Sequence, residues 1–218
     1  MDTFTIVIVV LTVLFVIAVL VITFLNQQKR SKDILALAVQ QGYQQSVEQV
    51  SLEDLDGFDI STHGRGRGVH NLLCIKRDDA TLSLFDFSAT YGQRKSQRTQ
   101  IETVLVMQSE KLHLPTFYLH PENIGTKIQS ALGGMEDINF ENHPEFSKSY
   151  ALEGIEDVAI REVFHNSLLD YFAQHRGLSV EGQGGKLLYY RPGKRIPAKE
   201  VQSFIEEGLK MLKMFEGV

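Results

Sequence analysis

VHNLLCIKRDDATLSLFDFSATY, running from Val69 to Tyr91, is the stretch that decides the fold. Two runs rich in Val, Leu, Ile, Thr and Phe flank the acidic turn Asp78-Asp79, the pattern of a β-hairpin. Toward the C-terminus, YGQRKSQR is a polar loop and TQIETVLVMQS a further strand. In that strand Ile101, Thr103, Leu105 and Met107 point one way and Glu102, Val104 and Val106 the other. FYLHPE supplies a short additional strand. DVAIREVFHNSLLDYFAQHRG reads as one helix, with Asp157 capping its start, Ile160, Val163, Phe164, Leu168 and Phe172 at helical spacing, and Gly177 as its stop. LSVEGQGGKLLYYRP is a second hairpin, its glycines supplying turn conformations. AKEVQSFIEEGLKMLKMFEG is an amphipathic C-terminal helix, with Pro197 near its first turn and Val201, Phe204, Ile205, Leu212 and Phe215 on its core side. The pattern predicts an α+β domain over 61–218, an antiparallel β-sheet with helices packed on it.

Upstream of the hairpin, HGRGRGVHN (His63 to Asn71) crowds three glycines and two arginines ahead of a strand. A phosphate loop needs such glycines between a strand and a helix N-terminus. A strand follows here instead, and neither GxxxxGK[ST] nor GxGxxG is present, so the stretch reads as an exposed bend. SLEDLDGFDIST before it reads as a join, and Asp54, Asp56 and Asp59 do not fit the frame of a calcium loop.

FTIVIVVLTVLFVIAVLVITFL, Phe4 to Leu25, is a charge-free run of 22 residues. As a helix it is about 33 Å long, enough to cross a hydrocarbon layer of roughly 30 Å. Asp2 in place of a basic N-terminal region, the length of the run, and Asn26-Gln27-Gln28 after it argue against a cleaved signal peptide. Lys29, Arg30 and Lys32 flank one side only, which predicts a single-pass inner-membrane protein, N-terminus outside and C-terminal domain cytoplasmic. The lone Cys74 fits a reducing compartment and reads as a small buried hydrophobe. The expected organisation is an anchor over 1–28, a juxtamembrane helix starting at the N-cap Ser31 and a linker over 29–60, and then the α+β domain.

Charge is uneven along the body. Residues 61–100 carry seven Lys/Arg against three Asp/Glu, residues 121–175 three against ten, and residues 176–218 eight against five. With a net charge of −5 and no accompanying motif, nucleic acid is not an expected partner. The basic residues Arg65, Arg67, Arg94, Lys95 and Arg98 are candidates for contact with anionic lipid. DINFENHPEFSKSYALEG, Asp137 to Gly154, interleaves aromatic residues with acids around His143-Pro144 and is the candidate protein-docking segment, with Phe140, His143, Phe146 and Tyr150 as its contacts. The competing reading places those aromatic rings in the core.

Catalytic and metal chemistry find little support. The pairs His63/His70 and His113/His120 are seven apart, which in a strand sends the rings to opposite faces. Glu162 and His165, at i and i+3 of the expected helix, are half of a di-iron carboxylate pattern whose other half is missing. There is no GxSxG elbow. No catalytic residue, metal ligand or cofactor is therefore assigned.

FDFSATYG from Phe85, LPTFYLHPEN from Leu114 and HPEFSKSYALEGIEDVAIREVF from His143 to Phe164 together resemble a group of bacterial single-pass membrane-anchored proteins of unknown function. The resemblance implies an inner-membrane protein and carries no catalytic residues. The sequence thus points to a membrane-tethered binding or scaffolding module. An anionic-lipid-binding domain is the alternative, and a membrane-bound hydrolase with a scattered site a more distant one.

Overall fold

The computed structural model describes residues 2–43, 52–62, 64–77, 79–92, 96–122 and 136–217. The chain forms two compact units, Met1–Gly42 and Tyr43–Val218.

The first unit is a single helix, α1 (Thr3–Gln41), 39 residues long and apolar enough to cross a membrane. Its threonines do not weaken it, because the Thr12 and Thr23 hydroxyls donate to the carbonyls of Ile8 and Val19 at 2.8 Å. The juxtamembrane helix expected from Ser31 is not a separate element. Ser31 sits inside α1 and its hydroxyl donates to the Gln27 carbonyl at 3.2 Å instead of capping a new start. Nothing between Leu25 and Gln41 is a glycine or proline, so propensity lets the helix run through Lys29, Arg30 and Lys32. It stops at Gly42, whose φ of 67° lies in the left-handed region that glycine adopts without strain.

The second unit is built on a sheet of eight strands in the order β1-β2-β3-β8-β7-β4-β6-β5, every neighbouring pair antiparallel. The strands are β1 (Arg65–Arg77), β2 (Ala80–Tyr91), β3 (Arg98–Ser109), β4 (Leu114–Pro121), β5 (Glu136–Asp137), β6 (Tyr150–Gly154), β7 (Ser179–Gly184) and β8 (Lys186–Tyr190). The hairpin read at Val69 to Tyr91 is β1–β2, and β2–β3 continues it in unbroken register from Ala80↔Ser109 to Tyr91↔Arg98. The second hairpin, β7–β8, wedges between β3 and β4, which follow one another in sequence but do not pair. It turns at Gly184 (φ 54°), and the Gly185 carbonyl accepts from the Ser109 amide at 3.0 Å.

One sheet face carries the helices. They are α3 (Pro144–Ser147), α4 (Asp157–Val163), α5 (Asn166–Gln174) and the amphipathic α6 (Val201–Glu216), whose expected core residues are all buried. The core there is aromatic: Phe117 stacks on Phe215 (5.6 Å) and meets Phe164 edge-on (5.0 Å). The helix expected over 157–177 is broken in two, because Phe164 (ψ 62°) and His165 (ψ 164°) leave helical geometry. Turning there brings Phe164 and Phe172 into one cluster, ring centres 6.3 Å apart, whereas eight positions along a straight helix would separate their backbones by about 12 Å. His165 is thus the N-cap of α5 and Glu162 belongs to α4, so the pair does not share a helix face.

The opposite face is covered by residues expected to be a join. A 3₁₀ turn (Leu52–Leu55) and the short α2 (Asp59–Thr62) bury Leu55, Phe58 and Ile60 against Phe85, Phe87, Val104 and Leu188. Three buried apolar side chains in the eleven residues from Leu52 to Thr62 make this segment part of the core. The Tyr118 hydroxyl fastens it by donating to the Gly57 carbonyl at 2.5 Å.

Two smaller expectations also change. The arginine-glycine stretch is not a bend before a strand, because β1 already starts at Arg65. Gly64 (φ 81°) and Gly66 (φ 60°) let it kink through irregular pairing between Arg65 and Gly68. Cys74 is only half-buried, its sulfur 3.9 Å from the Ser83 hydroxyl, because strand alternation gives the core side to Leu73 and Ile75.

Candidate functional site

The segment from Asp137 to Gly154 divides by burial. Phe146 and Tyr150 are 1% and 2% exposed and belong to the core, against the expectation that they offer partner contacts. Their rings stack at 5.8 Å, and Tyr150 meets Phe172 at 5.4 Å. The Tyr150 hydroxyl donates to the His175 carbonyl (2.5 Å) and accepts from the Leu178 amide (3.3 Å), so it links β6 to the entry of β7. Burial pushes this phenol up to about 12.

Phe140 and His143 remain half-buried and line a surface groove of about 330 Å³ with Asn139, Glu141, Arg161 and Asn166. Arg161 organises it. Its Nε donates to both carboxylate oxygens of Asp157 (3.0 and 2.9 Å), its Nη1 to the Asn139 carbonyl (2.9 Å), and its guanidinium lies 5.1 Å from the Phe140 ring centre. His143 Nε2 lies 3.1 Å from Asn166 Oδ1, and its Nδ1 lies 3.4 Å from Asp170 Oδ1. Phe140 is held from behind by Phe146 (5.7 Å, edge-on) and by the Ser147 hydroxyl on its amide (3.1 Å). Arg161 and His143 are therefore committed to shaping the groove, while Glu141 is exposed at it.

The basic candidates lie elsewhere. Strand register places Arg65 opposite Thr90 and Arg98 opposite Tyr91, at one end of β1–β3. Arg65 donates to the Gly92 carbonyl at 3.2 Å, and Arg67 and Arg98 are exposed. Arg94 and Lys95 lie outside the described residues. Lys29, Arg30 and Lys32 are on α1. Among the described residues no group of three or more His, Cys, Asp or Glu is set to hold a metal ion.

Sequence reasoning missed the buried carboxylates. Asp86 is 1% exposed and accepts from Arg195 Nε (2.9 Å), Asn71 Nδ2 (2.8 Å) and the Thr103 hydroxyl (2.8 Å). Glu181, in the centre of the sheet, accepts from the Tyr190 hydroxyl (2.7 Å) and the Ile60 amide (3.2 Å). Burial, then the charge of Asp59, pushes Glu181 up to about 8. A signal existed for Asp86. In FDF the two phenylalanines claim one face, so the acid between them must enter the other.

The geometry defines an α+β body that follows a long apolar helix in the chain and carries a surface groove at Phe140 and His143. No protein-family model matches the sequence, and no curated protein does. Among solved structures, the chain is similar to the mycobacterial trehalose monomycolate transport factor A, TtfA, with a TM-score of 0.59. The match covers 86% of this chain and 92% of that one, at 10% identity, and is a likeness of fold.

Proposed function

We propose that this protein is a non-enzymatic binding or scaffolding module, tethered to the inner membrane by α1 with its body in the cytoplasm, that docks a protein partner through the groove at Phe140 and His143. The observation carrying this reading is a helix apolar and long enough to span a membrane, joined to a body whose likeness is to a transport factor. Lys29, Arg30 and Lys32 on one flank, against Asp2 on the other, support the cytoplasmic orientation. Tethering confines the body to a surface and raises its effective concentration toward anything else held there. A factor of this kind would accompany a membrane process without carrying out its chemistry.

The test is a photoreactive phenylalanine analogue at position 140, irradiated in intact membranes, with position 67 as the comparison. A reproducible crosslinked protein from position 140 supports the reading, and its absence across replicates removes it. A second reading rests on Arg65 and Arg98 sharing one end of the sheet, where they would meet anionic headgroups. It requires binding to acidic vesicles that weakens with salt, and equal binding to neutral vesicles overturns it.

A further inference from the structure

On α4 and its approach, two aliphatic side chains stand in water: Ile155 is 60% and Val158 72% exposed, the highest values for large apolar residues among the described residues of the body. α4 turns Ile160 and Val163 inward, which leaves Val158 and Arg161, one turn apart, on its outer side. Arg161 reaches the Asn139 carbonyl and the Phe140 ring, so the apolar pair and the groove form one continuous surface. Around it Asp137, Glu141, Glu156 and Glu162 are exposed, while the Arg161 guanidinium is neutralised by Asp157.

We infer that this surface receives a cationic amphipathic segment of a partner protein, whose apolar side covers Ile155, Val158 and Phe140 and whose Lys or Arg side chains meet the surrounding acids. The inference rests on the docking reading above and names the chemistry of its partner. Charge decides among occupants. An anionic leaflet would be repelled by the same acids that ring the apolar pair. A second copy of the chain, meeting this surface about a two-fold axis, would set those acids against themselves. A basic amphipathic helix satisfies both the apolar and the acidic parts at once.

The experiment uses the full chain in nanodiscs of neutral lipid, carrying the photoreactive analogue at position 140. The probes are a synthetic amphipathic peptide of leucine and lysine and its counterpart with glutamate for lysine. The lysine peptide should crosslink about tenfold more efficiently than the glutamate peptide. Two independent pairs of substitutions, Ile155→Ser with Val158→Ser and Glu156→Lys with Glu162→Lys, should each reduce that yield about tenfold, whereas Lys76→Glu, at an exposed position of β1, should not change it. Equal yields for the two peptides, or insensitivity to both pairs, would overturn the inference. So would acidic vesicles that bind the wild-type chain and lose it on Ile155→Ser with Val158→Ser, since the surface would then be a membrane contact. Recovery of a protein from position 140 in intact membranes, together with no discrimination between the peptides, would leave the docking reading standing and remove this one alone.

Discussion

Asp86 shows how one buried acid can tie three parts of the chain together. Arg195 from the β8–α6 connection, Asn71 from β1 and Thr103 from β3 all donate to it. Among the described residues, Asn71 is the non-glycine residue with a left-handed backbone, φ 55°, at the irregular pairing between His70 and Leu73, and its bond to Asp86 offsets that conformation. Asp86→Ala should lower the stability of the body by about 3 kcal/mol, because it removes the buried carboxylate to which Arg195 and Thr103 donate. The figure sits at the low end for breaking a buried pair, since the Arg195 side chain keeps 26% of its surface in water. Denaturant unfolding followed by near-ultraviolet dichroism would measure it. Glu181 acts in the opposite sense. Its folded carboxyl is raised from 4.5 to about 8, so between those values the unfolded chain has given up a proton that the folded chain retains. Stability from this group is therefore full below about pH 4.5 and is lost as pH rises to about 8. Glu181→Gln keeps an oxygen for the Tyr190 hydroxyl and the Ile60 amide and removes the titration. The melting temperature of the variant should fall less than that of the wild type across that window, and parallel curves would count against the assignment. None of this was legible at Glu181, since its neighbour Ile60 lies 121 residues away in sequence.

At the scale of elements, the periodicities were legible and the interruptions were not. The β1–β2 hairpin, β3, the β7–β8 hairpin and α6 follow from alternation, turn residues and apolar spacing read locally. The split between α4 and α5 does not, because no glycine or proline marks Phe164-His165; the aromatic cluster that rewards the break is assembled from β4, α3 and α6. Gly208 is the converse case. In sequence it only weakens α6, yet a Cβ there would overlap Leu105 on β3, so its smallness sets how closely the helix approaches the sheet. Gly208→Val should cost about 1–3 kcal/mol through overpacking. A lower urea midpoint with an unchanged slope would show that outcome. The groove was half legible: Phe140 and His143 came from composition, but Arg161, which shapes it, comes from 21 positions further along than Phe140 and could be joined to it only by folding.

For the whole molecule, the decisive division is between α1 and everything after Gly42. Val13 and Ile17 lie one turn apart near the middle of the apolar run. Replacing both with arginine should add about 2.5–3.5 kcal/mol each to the cost of insertion. The protein should then leave the alkali-washed membrane fraction, as read by immunoblot. A reporter fused after Val218 checks orientation: activity of a periplasm-dependent reporter there contradicts the proposed cytoplasmic body. Strand order was beyond the sequence, because local patterns say which residues are strands and not which distant partner each will meet. The wedged hairpin β7–β8 also sets a timetable. Its residues leave the ribosome about 60–70 positions after β4, several seconds later at a synthesis rate of about 5–20 residues per second. Until then the meander β1–β3 and the strands around β4 each present a raw edge, on β3 and on β4. A nascent chain halted short of Ser179 would hold two unjoined half-sheets, whose open strands invite pairing with other chains.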